Sequence, residues 1–202
     1  MEAFGYQRTV IGYHGCDQSV VDSIINRNGH LKRSENRYDW LGKGIYFWEF
    51  GPSRANEWAI QRVKDGSKTI KVPAVLGAII NLGRCFDLLD VANTHLLSEM
   101  YPPFERFMEK NGKVLPRNIS PENGDPHDLV LRYLDCAMVN WALSMLELEG
   151  VTFDTVRCVF TEGGPAFRGS KIQHQSHIQI AVRNPASIVG YFLPSSVPKE
   201  KL

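Results

Sequence analysis

Nothing in this chain is in large excess. Its 202 residues carry 23 lysines and arginines against 22 aspartates and glutamates, so no net field draws it toward nucleic acid or an anionic membrane. No run approaches the roughly 18 consecutive apolar residues that span a bilayer. Met1 to Arg8 lack the basic-flanked apolar core of a secretory leader. Cys16, Cys85, Cys136 and Cys158 are scattered, with no Cys-x-x-Cys pair. That spacing argues against a disulfide framework and a paired-cysteine zinc site, and no motif assigns a metal to the six histidines. A Gly-x-Gly-x-x-Gly turn after a strand is missing, which removes support for a Rossmann domain. So is the Gly-x-Ser-x-Gly elbow of a serine hydrolase. There is no internal repeat and no low-complexity segment. A cytoplasmic protein with reduced thiols and no membrane partner is expected.

What is present is a core-forming composition, 43% hydrophobic and 22% charged, enough for one globular domain over residues 1–202. Thr9 to Tyr13 reads as a buried strand. Asp17 is placed to cap a helix through Val20, Val21, Ile24 and Ile25, closed by Asn28-Gly29. Residues 31–40 are polar and read as a loop. Gly44 to Trp48 is a second strand, and Pro52 and Ser53 open a helix running to about Lys64. Val72 to Leu82 is a long strand with a short continuation, Cys85 to Leu88, after a bend at Gly83. Helices follow over about Val91–Lys110 and His127–Leu148, separated by a turn-rich loop, Pro116–Pro126. Strands then cover Asp154–Phe160, Ser176–Val182 and Ile188–Leu193. The order predicts an α+β fold in which the helices at about 90–150 are an insertion, so strands on both sides of it share one sheet.

Two short segments carry the chemistry. Tyr13-His14-Gly15 places a histidine at the end of an apolar strand, beside a glycine that permits close backbone approach. Its imidazole can donate to a sugar hydroxyl. Trp40-Leu41-Gly42-Lys43-Gly44-Ile45-Tyr46-Phe47-Trp48-Glu49 then places Tyr46 on the strand face opposite Ile45 and Phe47, where a ring serves either as core or as a stacking platform.

Taken together these segments are specific. Gly42-Lys43-Gly44-Ile45-Tyr46-Phe47 resembles the Gly-Lys-Gly-Ile-Tyr-Phe signature of poly(ADP-ribose) polymerases. Pro52-Ser53-Arg54-Ala55-Asn56 is similar to that family's Ser-Lys-Ser-Ala-Asn helix start, and Tyr13-His14-Gly15-Cys16 to its Trp-His-Gly-Ser. The resemblance is to the diphtheria-toxin and poly(ADP-ribose) polymerase class of ADP-ribosyltransferases, and it covers about residues 9–60. It implies a split, mainly antiparallel sheet holding NAD, as substrate, in the cleft. By the same resemblance His14 positions the adenosine-side ribose, Gly15 grips the carboxamide beside Gly44, and Tyr46 stacks on nicotinamide.

The family's third residue is a glutamate on a late strand; the equivalent position here is Gln179. Glutamine bonds a ribose hydroxyl but cannot place negative charge beside an oxocarbenium ion or act as a base. The resemblance therefore points to mono-ADP-ribosylation or NAD cleavage, not chain elongation. Glu162 and His177, which shares a strand face with Gln179, are candidates for the missing base. The family's carboxamide-binding hydroxyl aligns with Arg54, one residue after Ser53, and its second aromatic with Glu57, one before Trp58. Ser53 and Trp58 are accordingly candidate cofactor contacts, and Arg54 and Arg37 candidates for the pyrophosphate. Trp141 and Met145 fit core spacing, and Asp135 and His127 have no partner at a diagnostic spacing.

The company that bacterial relatives of the class keep suggests a toxin or phage-defence effector, with a macromolecular acceptor and an antitoxin partner. The same fold also serves RNA 2′-phosphotransferases, which need an arginine cluster that the balanced charge does not favour. A module that binds NAD or ADP-ribose without turnover is the reading from another class.

Overall fold

The computed structural model describes residues 5–121 and 128–195. Strand β1 (Gly5–Asp17) runs into helix α1 (Gln18–Arg27). Asp17 makes that junction: one carboxylate oxygen accepts from Ser19 N at 3.0 Å, the other from Lys71 N at 2.8 Å and Val72 N at 2.9 Å. The cap of α1 thus also pins the start of a distant strand. Asn28, left-handed at φ 53°, ends α1, as a short polar side chain permits. The helix buries Val21 and Ile24 but leaves Ile25 exposed, so its inward stripe is narrower than the apolar spacing predicts.

Strand β2 (Ile45–Glu49) leads through Gly51 into α2 (Pro52–Lys64), which opens on proline and buries Ala55, Ala59 and Ile60. Strand β3 (Pro73–Asp87) is continuous. The expected break at Gly83 is a single residue at φ 57°, bridged because the Asp154 carboxylate accepts from Arg84 N at 2.9 Å. Helix α3 (Val91–Lys110) then runs through Pro102 and Pro103.

The next segment departs from expectation. Asn118–Ile119 (β4) pairs with Leu131–Arg132 (β5), and helix α4 starts only at Tyr133, running to Leu148. The helix starts later than its apolar period implies because its cap comes from elsewhere: Asn118 Oδ1 accepts from Leu134 N at 2.9 Å and Asp135 N at 3.3 Å. His127 lies outside the described residues, as do residues 122–126 of the Pro116–Pro126 loop. Asp135, which has no partner at a diagnostic spacing, accepts bonds from Arg132 Nη1 at 3.1 Å and Asn118 Nδ2 at 2.8 Å. Strands β6 (Thr155–Phe160), β7 (His177–Val182) and β8 (Ile188–Phe192) complete the described chain.

The main sheet runs β1-β2-β7-β6-β3-β8, and β3 also pairs with β1, so five strands close a ring with β8 on its outside. All pairings are antiparallel except β3 with β6. The α+β expectation holds at this level: four helices and a mostly antiparallel sheet, in which strands before and after the α3–α4 segment pair directly. One face of β2 and β7 presents Ile45, Phe47, Ile180 and Val182 to a core shared with α1. The other presents Ala181, with β6's Val156 and Phe160, to α4's Val139 and Leu143.

Where the ring closes, three charged groups are buried. Arg157 on β6 donates from Nε to Glu49 at 2.5 Å, from Nη2 to Glu49 at 3.1 Å and from Nη1 to Asp87 at 3.0 Å. All three residues are under a tenth exposed, and Arg8, at 3.7 Å from Glu49, adds a second, half-exposed cation. One planar guanidinium thereby ties the ends of β2 and β3 to β6. No spacing in the sequence announces this cluster.

Candidate functional site

The strand carrying His14 pairs with the strand carrying Tyr46, and that strand pairs with the one carrying Gln179. The pairing of β1 with β2 is short: Gly12 lies opposite Glu49 and Tyr13 opposite Trp48. Beyond Tyr13, His14 Nδ1 donates to the Tyr46 carbonyl at 2.8 Å. His14 is therefore not at a strand exit, since β1 continues to Asp17, held by β3 on its other edge. A carbonyl only accepts, so Nδ1 carries the proton. Burial pushes the imidazole pKa down, which leaves Nε2 as a bare acceptor in the neutral ring. Donation from the imidazole is thus spent on the Tyr46 carbonyl, and Nε2 of the neutral ring can only accept. The ring itself lies beside Phe47, centroids 5.7 Å apart.

Tyr46 faces the opposite way. Its ring packs against the core under α4, its hydroxyl donates to the Gly42 carbonyl at 2.5 Å, and Leu41 N donates to the hydroxyl at 2.8 Å. Burial and the nearby Asp39 raise its pKa well above the usual phenol value, so it stays neutral and ties the 41–44 turn to β2. Gly44 serves the same packing, since a Cβ there would lie 2.9 Å from Ala181 Cβ. The close approach that Gly15 permits is to α2: a Cβ would lie 2.3 Å from the Ala55 carbonyl oxygen and 3.1 Å from Trp58 Cε3.

A second group gathers on the face of β2, β6 and β7 that also bears Tyr46. Trp48 is 6% exposed, sits opposite Gln179 and lies 5.7 Å from the Trp58 ring. Arg54 stacks over Trp48 at 5.6 Å and donates to Glu162 at 2.5 Å. Glu162, expected to reach the site from a loop, is buried and already bound by Arg54. Arg54 is correspondingly engaged rather than free for a pyrophosphate. His177 Nδ1 lies 3.8 Å from Glu162 and donates to the Gln175 carbonyl at 2.8 Å. Its Nε2 faces the Gln179 amide at 3.1 Å. Burial lowers the His177 pKa, Arg54 and Arg132 lower it further, and the Gln175 carbonyl and Glu162 oppose them. With Nε2 already bonded, His177 has no free lone pair to act as the missing base.

Aromatic rings extend this group. Trp40 lies 6.0 Å from His177 and 4.6 Å from Phe160, and Arg132 stacks over both, 4.4 Å and 4.9 Å from the Trp40 and Phe160 centroids. Beyond them a cavity of about 590 Å³ opens under α3 and α4, lined by Trp40, Tyr101, Arg132, Asp135, Cys158 and Phe160 among others. Arg37 and Ser53 are exposed on their loop and helix start. Among the described residues, the buried Trp48 Nε1 and Arg54 Nε have no hydrogen-bond acceptor, and no group of His, Cys, Asp and Glu is arranged for a metal. Sequence reasoning missed Trp48, although its alternation with Tyr46 places it on that face. Nothing in the sequence pointed to Arg132.

Compared with known proteins, the chain matches no family and no solved structure significantly. It is 32% identical over 91 residues to the uncharacterized protein MJ0359 of Methanocaldococcus jannaschii. That match covers 44% of this chain and 42% of the relative, so the chain spans less than half of that protein's length. Among the described residues, no helix is long and apolar enough to cross a membrane.

Proposed function

We propose that the chain is an ADP-ribosyltransferase of the diphtheria-toxin and poly(ADP-ribose) polymerase class, acting on NAD as a mono-ADP-ribosyltransferase. The observation that carries this reading is the placement of His14, Tyr46 and Gln179 on three successive hydrogen-bonded strands, β1, β2 and β7. The short β1–β2 pairing supports the split sheet that the signature implies. The candidate groups flank β2 on both sides: His14 lies beside Phe47, and Trp48, Arg54 and Gln179 lie on the face that bears Tyr46. His14 Nε2 is an acceptor, and the buried donors of Trp48 and Arg54 lack partners among the described residues. A carboxamide and ribose hydroxyls present the complementary atoms. Trp48 and Trp58 are the aromatic surfaces at this group, while Tyr46 holds the turn beneath.

In the reaction, the bond between nicotinamide and ribose C1′ breaks and its electron pair leaves with nicotinamide, neutralising the pyridinium. The oxocarbenium-like sugar is captured by an acceptor nucleophile, which then loses its proton. The chain's own contribution is orientation and exclusion of water, because Gln179 adds no charge. A second reading, binding of NAD or ADP-ribose without turnover, is favoured by one observation: Glu162, the carboxylate beside His177, is bound by Arg54.

The test is incubation with adenylate-labelled NAD and cell lysate, following nicotinamide and label together. Nicotinamide release with label on a macromolecule, abolished in Trp48→Ala, supports the transferase. Release without transfer means a glycohydrolase, and binding without release means the module. Neither binding nor release refutes the proposal.

A further inference from the structure

A glutamine side chain is ambidextrous: one end of its amide donates, the other accepts. Which end Gln179 offers is decided by His177, two residues earlier on the same strand face. The Gln175 carbonyl accepts from His177 Nδ1 at 2.8 Å, and a carbonyl has no proton to give, so the ring proton is on Nδ1. The side chain is 5% exposed, and burial holds the ring neutral near pH 7. Its Nε2 is then an acceptor only. The Gln179 atom at 3.1 Å from it must be the amide NH2, and the oxygen at the other end of the planar amide is turned away. Three rings fix the imidazole: Trp40 at 6.0 Å and nearly parallel, Phe160 at 6.2 Å and Trp48 at 6.4 Å.

We infer that His177 is a positioning residue, locking Gln179 so that its carbonyl oxygen, not its NH2, is the group offered to a substrate hydroxyl. The inference rests on the proposed function for the substrate's identity, a ribose of NAD. The locked oxygen reproduces the hydrogen-bonding direction of a carboxylate without its charge. When His177 is protonated, Nε2 becomes a donor and the Gln179 amide turns over, presenting NH2 in place of oxygen. The charged groups around the ring are Glu162, 3.8 Å from Nδ1, Arg54 bound to that carboxylate, and Arg132 stacked beyond Trp40 and Phe160.

The test is nitrogen NMR of the imidazoles in the full, unliganded chain, followed by dialysis against labelled NAD across pH. The expected spectrum shows His177 protonated at Nδ1 and bare at Nε2, with the Gln179 side-chain NH2 signals shifting at the imidazole's own midpoint on acidification. NAD affinity should fall about tenfold through that midpoint, the scale of one hydrogen bond made wrong. His177→Phe keeps a flat ring among the three aromatics, and its melting temperature reports on folding. It should bind NAD about tenfold more weakly at neutral pH and lose the pH step. A proton on Nε2 in the wild type, or Gln179 signals indifferent to the imidazole titration, overturns the inference whatever NAD does. The expected spectrum without NAD binding supports the locked amide and refutes the proposed function instead.

Discussion

Removing the Arg157 guanidinium is the most severe single change the structure offers away from the candidate site. Arg157→Ala leaves Glu49 and Asp87 facing each other across the closed ring, both under a tenth exposed. The lost bonds include the two to Glu49 at 2.5 Å and 3.1 Å and one to Asp87 at 3.0 Å. Breaking a buried pair by removing one partner costs about 3–5 kcal/mol. Arg8, 3.7 Å from Glu49 but half exposed, offsets little of this. For a domain of this size, a loss of about 4 kcal/mol lowers the melting temperature by roughly 8–16 °C. Arg157→Lys should fall between, because a single ammonium cannot bridge both carboxylates with a planar fork. Urea unfolding followed by tryptophan fluorescence measures each variant, and the cycle with Glu49→Gln and Asp87→Asn isolates the charge. In that neutral background Arg157→Ala should cost far less. A loss below about 1 kcal/mol in the wild-type background, or an equal loss in both, would refute the account of the cluster.

Three further outcomes are expected. Gly15→Ala places a methyl 2.3 Å from the Ala55 carbonyl oxygen and should cost about 1–3 kcal/mol by displacing α2, read as a lower melting temperature; an unchanged melt would mean that α2 is not seated there. Asp17→Ala removes the α1 cap and the tie to Lys71 and Val72, costing about 1–2 kcal/mol. Those bonds hold the Asp17 carboxyl well below its ordinary value of 3.8. Its contribution is therefore complete above that pH and is lost as pH falls below it, so the gap between wild type and variant should close in acid; a gap that widens in acid contradicts the assignment. Burial raises the thiols of Cys16 and Cys85 to about 12 and Cys158 to about 11. At pH 8 they should react with a disulfide reagent far more slowly in the folded protein than in urea, and native labelling at the speed of free cysteine would contradict this.

Much of the fold was legible because its signals are local. Asp17 and Asn28 bracket α1 by capping chemistry, Val91 to Lys110 carries its own period, and each late strand is a short apolar run between turn residues. What stayed hidden depends on distant partners. The start of α4 is capped by Asn118, and the Arg157 cluster joins three strands far apart in sequence, so neither leaves a spacing to read. At the candidate site, strand parity correctly put His177 and Gln179 on one face. It could not tell that Arg54 and Glu162 would bind each other, or that α2 would lie against Gly15, because both follow from how the helix seats on the ring.

The ring of strands also orders how the molecule comes apart. Strands β7, β6 and β3 each have hydrogen-bonded neighbours on both sides, so none can peel from the sheet without breaking two ladders, whereas β2 meets β1 only at Trp48 and Glu49 and β8 is held on one side only. Backbone amides of β7 should therefore exchange with solvent only through global unfolding. Those of β8 should be released by local fraying. The strand that carries Gln179 thus belongs to the slowest-exchanging unit of the protein, and its place in the sheet is as durable as the fold itself.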